Sequence, residues 1–258
     1  MLTEEFRSRL PLLAAVLARS NQTRASSLAS YQGGARFRGI EESLDHIDVV
    51  RAIVQQIPDL TSIGFLIDRA RADVEVGVEA ALAGYPSVTS DAMRDLMEIE
   101  FLIWDLSLDK ERIPAWLNAD DKSLRRDYAP AAVRTRLKKH GAWNVGSKGE
   151  SLDYQAHSAG LHVTPRDVVF KHGFESDDLM RDAAFWELFE HLRRLFEAFV
   201  LMRAAFPHEA WADMKELNEL QYARDAWART RQMQEMFLAS SLGWKRARIR
   251  DSSGHPLR

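Results

Sequence analysis

Apolar positions recur along this chain at a helical period almost from end to end, and the clearest case is Asp91 to Trp116, DAMRDLMEIEFLIWDLSLDKERIPAW. Leu96, Ile99, Ile103 and Leu106 make one apolar stripe, and Met97, Phe101, Trp104 and Leu108 make a second. A helix with two such stripes has little face left for water, so this segment is expected to be the central helix of a bundle. Thr89, Ser90 and Asp91 stand ready to cap its first turn by accepting a backbone N–H. Arg94, Glu98 and Asp105 then fall within about 40° of one another at ~100° per residue. A polar line on a buried helix needs partners, because an unpaired buried charge is costly.

The same period predicts the neighbours. One helix is expected over residues 3 to about 30, followed by a loop at 31–39 marked by Gly33 and Gly34. A helix at 40–57 carries Leu44, Ile47, Val50 and Val54, and after Pro58 another runs through Ile63, Leu66, Ile67, Ala70, Val74 and Val78 to Ala83. Gly84-Tyr85-Pro86 ends it, since proline disfavours helix in the residue before itself. A charged helix is predicted from Lys122 to His140, bent at Pro130, then a glycine-containing loop at 141–149 and a short helix over 151–163. Arg166 to Gly173 is the single stretch read as extended. A strong helix starts at Ser176, Asp177 and Asp178 and ends at Pro207, with Phe185, Leu188, Leu192, Leu195, Phe196, Phe199 and Met202 on its apolar side. The last helix, about His208 to Leu242, is more polar. The sum is an all-α multi-helix bundle with a long polar C-terminal helix. It forms one domain over 1–242, with its core at about 40–206 and a flexible basic tail at 243–258.

Composition narrows the classes of function. The chain has 258 residues, 46% hydrophobic and 28% charged, with a formal net charge of −3, which speaks against general polyanion binding. It has no cysteine, so disulfides, thiolate metal sites and cysteine nucleophiles are excluded, and a cytoplasmic setting is expected. Leu10 to Ala18 is a short apolar run behind Arg7 and Arg9, but Glu4, Glu5 and Arg19 flank it, so it reads as helix and not as a signal peptide. Nothing approaches the ~20 apolar residues of a membrane span, and no membrane association is expected.

No Glu-x-x-His or His-Glu-x-x-His occurs. Glu42 with His46 and Glu187 with His191 are four apart, the spacing of ordinary surface pairs on a helix. No metal and no cofactor are therefore expected. The two glycine-rich segments, Gly33-Gly34 and Gly146-Ser147-Lys148-Gly149, lack phosphate-loop spacing and read as connectors.

Tyr154, Ser158 and His162 lie at i, i+4 and i+8, along one side of a predicted helix. Packed against Arg94, Glu98 and Asp105, they would form either a pocket or a buried hydrogen-bond network. In the pocket, His162 is acid or base and Arg94 clamps an anion. In the network, the same groups fix helix register. The network is the preferred reading, since no third group is evident to orient His162 toward Ser158.

The R-x-x-x-E opening (Arg94, Glu98), the DKERIPAW continuation and the Tyr-x-x-x-Ser-x-x-x-His element together resemble a broad group of uncharacterised bacterial all-helical proteins. In that group the His is followed by Pro-Ser or Pro-Thr, whereas here Val163, Thr164 and Pro165 follow His162. The group is loosely similar to the HEPN class, found in bacterial toxin and phage-defence systems, some of which are metal-independent ribonucleases. That resemblance implies an Arg followed four to six residues later by His. Arg134 with His140, Arg166 with His172, Arg203 with His208, and Arg248 or Arg250 with His255 fit, and Arg166 with His172 fits best.

Two functions are thus expected in order. The first is a non-catalytic helical interaction or dimerising subunit of a bacterial stress or phage-defence system, with a protein partner or a second copy. The alternative is a HEPN-like metal-independent ribonuclease acting on RNA through His162, Arg94, Glu98, Tyr154, Ser158, Arg166 or His172. Lys245, Arg246, Arg248 and Arg250 in the tail read first as a solvated basic terminus and second as phosphate contacts. Subunit contact is expected near Met233 to Trp244, where the last helix outruns its own bundle.

Overall fold

The computed structural model describes residues 3–31, 34–141 and 177–227. The expectations at Tyr154, Ser158, His162, Arg166 and His172, at 243–258 and at Met233 to Trp244 lie outside the described residues.

Among the described residues the chain forms eleven α-helices, one 3₁₀ turn and no strand. The first expected helix is two, α1 (Glu4–Arg9) and α2 (Pro11–Tyr31). Pro11 pushes Leu10 out of the helical region to φ −133° and ψ 60°, so the chain kinks there. Thr3 accepts the Phe6 N–H and caps α1. Helix α3 (Ala35–Gln56) begins five residues earlier than the pattern suggests and takes in most of the expected loop. The short α4 (Pro58–Thr61) leads into α5 (Gly64–Ala83). Gly84 adopts φ +82°, and the Tyr85 N–H reaches back 2.8 Å to the Ala80 carbonyl, which closes α5 as a left-handed cap.

The central helix α6 (Pro86–Ser107) starts at its proline, not at Asp91. Pro86 takes the first helical position, where a missing N–H costs nothing. The expected caps Thr89 and Ser90 are buried inside the helix instead. The Thr89 hydroxyl turns back to the Tyr85 carbonyl at 3.2 Å and to Gly77 on α5 at 3.4 Å. Met93, Leu96, Met97, Ile99, Phe101, Ile103, Trp104 and Leu106 are all buried, as the two stripes require. Leu108 lies past the helix end and is exposed. Each apolar side chain taken from water here contributes about 1.5–3 kcal/mol.

Beyond α6 the chain makes α7 (Arg112–Leu117), α8 (Asp121–Asp127) and α9 (Pro130–Lys139). The single charged helix expected over 122–140 is therefore broken, because Ala129 precedes a proline and stays extended at ψ 146°. Helix α10 (Asp177–Ala205) buries Phe185, Leu188, Leu192, Leu195, Phe196, Phe199 and Met202. After Pro207 a 3₁₀ turn (Glu209–Asp213) and an irregular stretch precede α11 (Asn218–Trp227), so no continuous helix runs from His208. Trp211 is buried and donates its indole N–H to the Phe206 carbonyl at 2.9 Å.

Helix α6 sits between α5 and α10, its two most extensive contacts. Helix α3 packs on the far side of α5 and receives α11. That contact is close. A Cβ on Gly39 of α3 would stand 2.7 Å from the Ala223 Cβ and 3.0 Å from the Phe189 ring. Glu42 of α3 accepts the backbone N–H groups of Asn218 (2.9 Å) and Leu220 (2.6 Å) and so caps α11 across the interface.

Candidate functional site

A wholly buried carboxylate is the natural place to look for chemistry, and α6 carries two. Asp105 has no solvent exposure. Arg136 of α9 grips it as a fork, Nε to Oδ1 at 2.9 Å and Nη2 to Oδ2 at 2.7 Å. Arg112 of α7 adds Nη1 at 3.1 and 3.2 Å from the two oxygens. Arg136 also donates to the Asp127 carbonyl and lies over the Tyr128 ring at 5.4 Å. Its hydrogen bonds to Asp105 raise the Arg136 pKa above the ordinary arginine value. One carboxylate thus fastens the end of α6 to α7, to α9 and to the turn before α9. With its oxygens taken up by guanidinium donors, Asp105 is built to hold helices together, not to accept a substrate proton.

Glu100 is the second. It is fully buried and takes Arg194 of α10, Nε and Nη2 each 3.0 Å from Oε1. The Arg194 guanidinium also lies 5.5 Å from the Phe101 ring centre, and Arg134 approaches the same ring at 6.0 Å. Glu100 therefore ties α6 to α10, as Asp105 ties it to α9.

The expected polar line divides. Arg94 and Glu98 pair with each other along α6, Nε to Oε1 at 3.2 Å, both half-buried. Asp105 turns to arginines that lie later in the chain. Of the Arg–His spacings, Arg203 and His208 are both exposed, and the His208 ring Nδ1 accepts the Ala210 N–H and caps the 3₁₀ turn. His140 is exposed at the end of α9, while Arg134 is half-buried against Phe101.

Among the described residues, His46 and Asp73 have strongly displaced pKa values, and the sequence pattern singles out neither as a site. His46 of α3 is buried, and neither ring nitrogen has a hydrogen-bond partner among the described residues. Its ring stands edge-on to Phe196 at 4.6 Å. Burial pulls its pKa down to about 4, against the raising pull of Glu42 and Asp45. Glu42 and His46 are therefore not the surface pair that their spacing suggests, and neither are Glu187 and His191, since His191 is buried too. The available signal is phase. Ser43, His46, Val50 and Ile53 follow one another at steps of three and four, and all are buried on the inner face of α3.

The second displaced group is Asp73 of α5. Partial burial, a hydrogen bond to Asp95 and the charge of Asp95 push its pKa up to about 8, against the lowering effect of Arg69. Arg69 in turn pairs with Asp95, with Nη2 2.5 Å from Oδ1. Asp73 therefore holds its proton at neutral pH beside Asp95, across the contact between α5 and α6.

A pocket of about 410 Å³ lies between α2, α5 and the start of α6. Ser20, Arg24, Val76, Ala80, Tyr85 and Val88 are among its lining, and Arg24 and Glu79 pair at its edge. Neither His46 nor Asp73 lines it. No group of three or more His, Asp or Glu side chains is arranged to hold a metal ion among the described residues. None of the described helices is long and apolar enough to cross a membrane.

These features define an all-α helical bundle whose buried charges lock helix to helix. No family model, no curated protein and no solved structure matches the chain.

Proposed function

We propose that this protein is a non-catalytic helical interaction subunit, and that its setting is the bacterial stress or phage-defence system suggested by the resemblance. The observation that carries this reading is a contrast between interior and surface. The buried carboxylates Asp105 and Glu100 are engaged by arginines from neighbouring helices. Large apolar side chains are meanwhile left in water on one arm: Leu10, Leu12, Leu13, Val16 and Leu17 are all exposed within eight residues. Clusters of this kind on a folded protein mark contact surfaces.

The test is incubation of the purified full chain with RNA, in EDTA and separately in magnesium. The expected result is intact RNA in both. Cleavage that persists in EDTA and is lost in His162→Ala or His172→Ala would overturn the proposal in favour of a HEPN-like, metal-independent ribonuclease.

A further inference from the structure

Two carboxylates of α3 fasten the C-terminal segment to the body. Glu42 accepts the backbone N–H groups of Asn218 and Leu220, and Asp45 accepts the Lys215 ammonium at 2.9 Å. In α11 itself Leu220 and Ala223 are buried, with Ala223 against Gly39. Arg38 pairs with Glu219, but both side chains are about half exposed, and such pairs contribute little. A helix this short draws its stability from docking. Its connection leaves it room to move: Trp211 is anchored by its indole N–H, whereas residues 214–217 form an irregular stretch between the 3₁₀ turn and α11.

His46 stands four residues after Glu42 and directly after Asp45 on the same helix. Its ring is buried against Phe196 of α10, with neither nitrogen hydrogen-bonded among the described residues. The charged groups that act on it are Glu42, Asp45 and Lys215. Arg193 and Glu197, which flank Phe196 on α10, pair with each other, and Asp48 of α3 pairs with Arg71. The two carboxylates that favour a charged ring at this position are thus the same two that hold the C-terminal segment.

We propose that these groups form a proton-operated latch, in which a protonated His46 competes with α11 for the carboxylates of Glu42 and Asp45 and so releases α11 from α3.

A neutral imidazole makes no demand on either carboxylate. The imidazolium has two N–H donors and a charge, and in a buried site these need an acceptor. Glu42 lies one helical turn away on the same face. Turning toward the ring takes its carboxylate from Asn218 and Leu220, and α11 loses its cap. Lys215 acts in the same direction. Its charge disfavours protonation of His46, so departure of the stretch that carries it favours the imidazolium.

The sign follows from burial. With α11 docked, the His46 pKa is about 4, and release frees it toward 6.5. Opening therefore takes up a proton between these values. It gains nothing above pH 6.5 and rises by up to about tenfold per pH unit below it. From pH 7.5 to pH 5 the opening constant should grow by up to about thirtyfold. The latch holds equally for a non-catalytic subunit and for a ribonuclease.

Amide hydrogen exchange on the full chain from pH 7.5 to pH 5, each rate divided by the intrinsic rate at that pH, tests the latch. The amides of α11 should lose protection with the stated slope and exchange faster than those of α5 at every pH. Low urea should speed exchange in α5 alone, since local opening exposes little surface. His46→Leu should flatten the pH profile of α11. Protection in α11 that is independent of pH, or that falls as steeply in His46→Leu, overturns the latch. Exchange in α11 that rises with urea as steeply as in α5 is global unfolding and overturns it too. Should the variant fail to fold, the wild type decides: the His46 ring resonances must titrate over the range in which α11 opens, and opening without that titration refutes the proposal.

Discussion

His46 gives this fold a defined sensitivity to acid. Its imidazole is buried against Phe196, with Glu42, Asp45 and Lys215 the charged groups around it, and its pKa is pulled down to about 4 from 6.5. Between those two values the unfolded chain binds a proton that the native state does not, so stability rises with pH. The contribution is complete above pH 6.5 and is lost as the pH falls toward 4. At about 1.4 kcal/mol per pH unit, roughly two and a half units amount to about 3 kcal/mol.

His46→Leu removes the titration and replaces two unpartnered buried nitrogens with a side chain of similar size. Urea unfolding of both proteins at pH 7.5, 6.5, 5.5 and 4.5 measures the difference directly, because groups common to both cancel. The variant's advantage should be constant above pH 6.5 and grow by about 1.4 kcal/mol per unit below it. A difference independent of pH would mean that His46 has the same pKa folded and unfolded, as a hydrated imidazole does, and its burial would then carry no acid sensitivity.

Two further predictions concern the carboxylates. Asp105→Ala would strand Arg112 and Arg136 around an empty site, and thermal or urea unfolding should show a loss of about 3–5 kcal/mol, the scale for breaking a buried ion pair. A loss below ~0.5 kcal/mol would place Asp105 in water. Asp73 titrates in the opposite sense to His46. Its native pKa of about 8 lies above the unfolded value of 3.8, so its contribution is complete below pH 3.8 and is lost as the pH rises through 8. Asp73→Asn keeps a neutral hydrogen-bonding group beside Asp95 and should stabilise the protein at pH 8 by about 1–2 kcal/mol, a figure reduced for solvent screening at this half-buried site. A destabilised variant at pH 8 would refute the raised pKa of Asp73.

The sequence by itself determined the helical class, the buried character of Leu96 to Leu106 and the ends at Gly84 and Pro207. These are local properties. A period of 3.6 residues, a proline without an N–H and a glycine at positive φ act within a turn or two of the chain. Helix starts were less legible. Thr89 and Ser90 have the side chains of caps, yet a threonine hydroxyl can equally turn back to a carbonyl one turn earlier, and a proline upstream had already begun the helix.

Tertiary structure alone decided which charges meet. Asp105 takes a partner 31 residues away and Glu100 one 94 residues away, and no local spacing records either distance. Arg94, Glu98 and Asp105 share a side of α6, but Arg94 and Glu98 pair locally at i,i+4 while Asp105 pairs with the arginines of the helices that lie over its turn. For the same reason the i,i+4 spacing of Glu42 and His46 reads as a surface pair until α10 and α11 cover α3. The arm at Leu10 to Leu17 is the converse case. Its short apolar run is plain in the sequence, but only the packed bundle shows that those leucines are left in water.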